Sequence, residues 1–287
     1  MNNFDPSLVA LAVITYYPKW YRGKLRSIKH TDKVRGDLAI EFLTKAAKLG
    51  YQIVVGDGKS SKAFRNSVSQ ISRLIIIKRK SLKRSVAKRQ VIKKASKLPN
   101  VKIIIITEPE KVSLLDSLDK ITQPIFRNQA DVIIPRRDIV LFQKTYPSYM
   151  HESEIEGNKL YNEVLRTNKI LKRKADLDMF FGPCAFANTH RVVSLFTRPY
   201  HLKISKSAYL DSYFYSDPIS VPIDFGVVMS LKRRLRVESV DIPFAYSKMQ
   251  KDNEERGDKK LFEEKRKYQR LSLLIELLYF IHYLKKS

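Results

Sequence analysis

Residues 103–106 are four consecutive isoleucines, and they run directly into Thr107-Glu108-Pro109-Glu110-Lys111. β-Branched side chains are stiff and pack well on a pleated surface. A run that is apolar at every position, rather than at alternate ones, predicts a strand covered on both faces. A strand of that kind belongs to a sheet with helices on each side. The first half of the chain agrees. Apolar runs at 8–16, 51–55, 74–77, 101–106 and 132–134 alternate with helical spacing at 37–49, 62–69, 81–98 and 114–123. Leu38, Phe42, Ala46 and Leu49 mark one such helix, and Gly50 follows them as a left-handed C-cap. The alternation predicts an α/β fold, a mostly parallel wound central sheet with helices on both faces. The second half is less regular, with a helix at 152–171, an apolar segment at 180–187, a helix at 226–236, a strand at 237–242 and a charged, then apolar, helix or helix pair at 252–283.

In open α/β sheets, ligands bind beyond the carboxyl ends of the strands, so the residues following each run carry the functional reading. Glu108 and Glu110 are two carboxylates one residue apart. That spacing suits a divalent-metal clamp for a diphosphate, or else a solvated acidic turn closed by Pro109. After 51–55 comes Gly56-Asp57-Gly58-Lys59-Ser60. Glycines let backbone approach a ligand closely. Asp57 there can accept from a ribose hydroxyl or a base N–H, or bond its own turn.

The chain has 287 residues and a net charge of +26, and no Asp or Glu falls between Gly58 and Thr107. Such a field favours polyanions, whether nucleic acid, an anionic membrane or phosphorylated substrates. The single Cys184 excludes an intramolecular disulfide and suits a reducing compartment. Residues 1–7 do not read as a signal peptide, so a cytoplasmic protein is expected. The longest apolar stretch, 271–284, is broken by Glu276 and His282 and falls short of the ~18 residues of a membrane span.

Taken in order, these pieces resemble a GT-A nucleotide-sugar glycosyltransferase, nearest in layout to the family 2 type. The motifs are Thr15-Tyr16-Tyr17-Pro18 closing the first strand and Val54-Val55-Gly56-Asp57-Gly58-Lys59-Ser60 closing the second. Then come the basic helix around Lys83-Arg84-Ser85-Val86-Ala87-Lys88-Arg89 and Glu108-Pro109-Glu110 in the place of an Asp-x-Asp metal motif. Further on, Phe181-Gly182-Pro183-Cys184 and Pro222-Ile223-Asp224-Phe225-Gly226 follow the acceptor half of that plan. The resemblance spans roughly residues 9–246. It implies a catalytic domain over 1–246, with a nucleotide-binding half at 1–135 and an acceptor half at 136–246. Residues 247–287 are then a helical extension.

The resemblance also implies roles. Thr15, Tyr17 and Asp57 would hold the nucleotide; Arg84, Arg89 and Lys111 would face the diphosphate, with Arg89 preferred to Lys88 on that helix. Glu108 and Glu110 would hold Mn²⁺ or Mg²⁺. Asp224 would take the proton from the acceptor hydroxyl of an inverting reaction, with Asp211 and Asp217 as competitors and a helix N-cap as its plain structural role. His190 and His201 are candidates for a third metal ligand. Glu152, Glu154 and Glu156 do not share one helical face, so they predict no metal cluster. The partners implied are a nucleotide-sugar donor and a hydroxyl acceptor, which a lipid carrier would suit. The apolar stretch at 271–284 suits core packing, a homodimer contact or an anionic membrane surface. Two other classes compete. A non-enzymatic nucleic-acid-binding protein would suit the charge, but the basic residues lack an interleaved aromatic platform. A nucleotidyltransferase on a similar sheet would need a Gly-rich basic loop after the first strand, where residues 20–33 hold only Gly23.

Overall fold

The computed structural model describes residues 4–81, 83–200, 221–257 and 259–286. Its strands are β1 Val9–Thr15, β2 Gln52–Asp57, β3 Leu74–Lys78, β4 Ile103–Ile106, β5 Val132–Arg137, β6 Cys184–Ala187 and β7 Val237–Ile242. They form one sheet in the order β3-β2-β1-β4-β6-β5-β7. β6 is antiparallel to both neighbours, and every other pairing is parallel. The described α-helices are α1 Thr31–Lys48, α2 Lys62–Val68, α3 Arg84–Ala95, α4 Leu118–Phe126, α5 Ile139–Thr145, α6 Ser148–Thr167, α7 His190–Thr197, α8 Val221–Lys232, α9 Lys248–Arg256 and α10 Lys259–Lys286.

The four isoleucines of β4 are buried, as a doubly covered strand requires. Successive side chains alternate between faces. Leu11, Val13, Ile103 and Ile105 pack with Phe42, Phe64, Leu118 and Ile121 on one face. Ala10, Ala12, Ile104 and Ile106 pack with Val91, Tyr161, Phe225 and Phe280 on the other. Each fully buried isoleucine contributes on the order of 1.5–3 kcal/mol. Gly50 ends α1 at φ +94°, where only glycine pays no steric penalty.

Several boundaries differ from those in the apolar pattern, and the cause is long-range pairing. α1 begins at Thr31 instead of 37 because Lys33 lies over the Trp20 ring and pairs with Asp37 at 2.7 Å. β5 continues past 134, through Pro135 to Arg137, because that guanidinium finds buried carboxylates. α5 was not visible in the spacing; Asp138 caps it, accepting from the Leu141 N–H at 2.9 Å. The segment 252–283 proves to be a pair, α9 and α10, broken near Gly257. α10 is part of the body of the fold, since Leu277, Phe280 and Ile281 are buried in the second core and Phe280 stacks on Phe225 at 3.8 Å. Among the described residues, no helix is long and apolar enough to cross a membrane.

Candidate active site

The parallel strands β1, β2 and β4 deliver their carboxyl ends to one edge of the sheet, the usual location for a ligand in such a fold. Thr15 and Asp57 are register partners at the ends of β1 and β2. The Thr15 hydroxyl donates to Asp57 Oδ1 at 2.9 Å, while Asp57 Oδ2 accepts from the backbone N–H groups of Lys59 and Ser60 at 3.2 Å each. The Tyr17 N–H donates to the Ser60 hydroxyl at 2.9 Å. Asp57 therefore ties two strand ends together, and its carboxylate is already engaged on both oxygens.

Two cavities open at this edge. One, of about 310 Å³, is lined by Thr15, Tyr17 and Arg79, a volume at the low end of the ~300–1,000 Å³ typical of small-molecule sites. The other, of about 220 Å³, is lined by Lys111, Asp224, Tyr246 and Lys265. Arg35, Arg84, Lys88, Glu108 and Glu110 line both, so the two chambers meet at the corner that follows β4. Arg84 and Lys88 are four residues apart and share a face of α3. Arg89 is one step round the helix from Lys88 and lines neither chamber.

At the corner, Glu110 Oε1 accepts from the Tyr17 hydroxyl at 2.9 Å and pairs with Arg35 Nη2 at 2.6 Å. Burial, and then the Glu110 charge, push the Tyr17 phenol well above its ordinary range, so it stays a donor. Glu108 pairs with Lys111 Nζ at 3.6 Å. Burial opposes its charge, but Lys111 and then Lys88 outweigh that and hold its carboxyl below the usual range. Gly182, at φ +95°, lets the chain pass beside this carboxylate; a Cβ there would lie 3.2 Å from Glu108 Oε2. Glu110 is engaged by Arg35 and Tyr17, whereas Glu108 Oε2 is buried without a hydrogen-bond partner; among the described residues no three His, Cys, Asp or Glu side chains are grouped to hold a metal.

The second chamber has a polar wall that the sequence did not reveal. Arg137 donates to Asp178 from Nε and Nη2 at 2.8 and 2.7 Å and to Glu154 from Nη1 at 2.6 Å, with its guanidinium 3.7 Å from the centre of the Phe142 ring. Burial opposes its charge, but Asp178 leads the groups that raise its affinity for the proton well above the usual range. Arg266 of α10 lies 3.6 Å from Glu154 and 3.7 Å from Glu254, and the Tyr246 hydroxyl donates to Glu254 at 2.9 Å. Arg270 of α10 pairs with Glu156. α10 is thereby fastened across the chamber by ion pairs, as well as through the core.

Asp224 lies in the first turn of α8 and is buried, so it is a chamber residue and not an exposed N-cap. Burial and then the Asp224 charge push the Tyr161 phenol well above its ordinary value. Cys184 is buried nearby, its thiol pushed up by burial and then by Asp224. It is a small core residue. His190 is exposed at the start of α7, and Glu152 and Glu156 are exposed on α6. His201, Asp211 and Asp217 lie outside the described residues.

No protein-family model matches the sequence, and no curated protein matches it either. Similar solved structures exist. One is a proposed nucleotide-diphospho-sugar transferase from Desulfovibrio desulfuricans G20, 10% identical, with 93% of this chain and 98% of that chain covered and a TM-score of 0.45. Another is a 4-diphosphocytidyl-2C-methyl-D-erythritol synthase from Anaerococcus prevotii DSM 20548, 13% identical, with 90% of this chain and 99% of that chain covered and a TM-score of 0.46.

Proposed function

We propose that the chain is a glycosyltransferase that moves a sugar from a nucleoside-diphosphate donor to a hydroxyl acceptor. The observation that carries this reading is the pair of chambers sharing one basic corner, with Thr15 and Tyr17 on one side and Asp224 on the other. The nucleoside occupies the Thr15 chamber, with Asp57 fixing the Thr15 hydroxyl. The diphosphate lies against Arg84, Lys88 and Lys111, whose charges stabilise the leaving group as it gains negative charge. The sugar then points into the Asp224 chamber. The acceptor oxygen attacks the anomeric carbon, the bond from that carbon to the diphosphate oxygen breaks, and the electron pair leaves with the nucleoside diphosphate. Asp224, buried in the first turn of α8, accepts the acceptor's proton.

The test is isothermal titration of the full chain with UDP, GDP and their sugars. Saturable binding is expected, and Lys88→Ala should weaken it by about tenfold, the loss of one charge-assisted contact. Failure of every one of these compounds to bind would overturn the reading.

A further inference from the structure

Most of α10 is held by the rest of the fold. Leu277, Phe280 and Ile281 are buried in the second core, and Arg266 and Arg270 reach carboxylates of α6 and α9. Lys265, Gln269 and Leu273 line the second chamber. The remaining side faces outward, and much of it is apolar. Tyr268, Leu271 and Leu278 are 50%, 42% and 51% exposed, with the half-buried Ile275 between them. Steps of three, four and three residues put these four side chains in one stripe along the helix. Exposed apolar residues scattered singly are ordinary, but a contiguous stripe marks a surface for a partner.

The charges beside the stripe indicate which partner. Lys260, Lys267 and Lys285 are exposed, and none makes an ion pair with a described residue. Their spacings are close to whole turns of a helix, so they form a file along one flank of the stripe. Glu264 is the acid on this outward side. Positive charge continues past the C-terminal end of α10. Lys232 of α8 donates to the Leu284 carbonyl at 3.3 Å, and the next residue, Arg233, lines a cavity of about 480 Å³ with Lys93, Arg191 and Arg198. No acidic residue is among the described residues that line it.

We infer that α10 is an interfacial helix whose outer stripe docks on a membrane surface rich in anionic lipid. Tyr268, Leu271, Ile275 and Leu278 enter the boundary between headgroups and acyl chains, and Lys260, Lys267 and Lys285 meet the headgroup phosphates. Apolar area supplies the hold, and the cations select the anionic surface. Among the described residues no helix is long and apolar enough to cross a membrane, so α10 lies on the surface. A second copy of the chain fits the stripe less well. Two chains of net charge +26 repel at close approach, and the lysines beside the stripe would crowd round the shared contact. A nucleic acid would draw the cations but offers its phosphates, not apolar surface, to Leu271 and Leu278. Docking of this kind does not depend on sugar transfer.

The experiment is co-sedimentation of the full chain with vesicles of phosphatidylcholine alone, and of phosphatidylcholine containing phosphatidylglycerol, at near-physiological salt. Binding to the anionic vesicles and not to the neutral ones is expected. Leu271→Gln combined with Leu278→Gln should weaken it about tenfold, and Lys267→Gln about fivefold. Leu49→Gln, an exposed apolar position at the end of α1, leaves it unchanged. Circular dichroism of each variant separates lost binding from lost folding. Full-strength binding by the leucine variant, or no binding to either vesicle, overturns the inference. A wild-type dimer in analytical ultracentrifugation that the leucine variant dissociates assigns the stripe to a second copy and overturns it as well.

Discussion

Replacing Lys265 by Gln should make the protein more stable. The proton affinity of Lys265 falls from 10.5 to about 8 in the folded chain. At about 1.36 kcal/mol per pH unit, that shift corresponds to roughly 3 kcal/mol of destabilisation for an isolated, unscreened group. Lys265 is partly open to solvent, and screening reduces the figure to the order of 1–2 kcal/mol. The pH dependence follows from the direction of the shift. The folded state binds fewer protons than the unfolded one between about 8 and 10.5, so stability rises with pH across that window. The penalty is fully present below pH 8 and fades as pH climbs to 10.5. Gln keeps most of the side-chain length and removes the charge. Urea denaturation at pH 7 should therefore give the variant a higher midpoint with an unchanged slope, and the difference should shrink toward pH 10. A variant less stable than wild type at pH 7 would show that Lys265 is held by a favourable partner, and the reasoning from its burial would fail.

Other perturbations test other parts of the structure. Arg137→Met leaves Asp178 and Glu154 buried without their cation; chemical denaturation should show a loss of about 3–5 kcal/mol. Gly182→Ala forces a side chain onto φ +95° and against the Glu108 carboxylate; a stability loss of roughly 1–2 kcal/mol is expected from the left-handed backbone alone, together with weaker pyrophosphate binding. Asp224→Asn keeps the shape of the chamber and removes the base; donor affinity should hold while turnover falls by about 10²–10⁴, and an unchanged turnover would remove Asp224 from the mechanism.

The sheet was legible because its signal is local. The isoleucines of β4 and the apolar runs of β1, β2, β3 and β7 fall within a few residues of their observed ends, since continuous β-branched burial has few alternative structures. The corner at Glu108 and Glu110 was legible from its place after a buried strand. What escaped was charge whose partner is far away in the chain. Arg137 reads as the end of a strand until Asp178, 41 residues on, is brought to it. Arg35 sits in a helical turn whose start depends on Lys33 and Trp20. Lys265 and Arg266 belong to a charged stretch that looks solvated until Phe280 docks α10 on the second core. Arg89 was preferred to Lys88 on α3, and only the packing of that helix distinguishes the two. Asp57 shows how a motif residue can combine both readings, bonding its own turn while fixing Thr15.

The central claim concerns which bond breaks at the corner shared by the two chambers. Phosphorus NMR of the full chain incubated with UDP- and GDP-sugars, and separately with nucleoside triphosphates and sugar phosphates, reads this directly. Cleavage between the anomeric carbon and the diphosphate yields a nucleoside diphosphate with its terminal β-phosphate resonance, and Asp224→Asn should slow its appearance by about 10²–10⁴. Release of pyrophosphate from a nucleoside triphosphate, with no nucleoside diphosphate from any sugar nucleotide, would contradict the account and make the chain a nucleotidyltransferase.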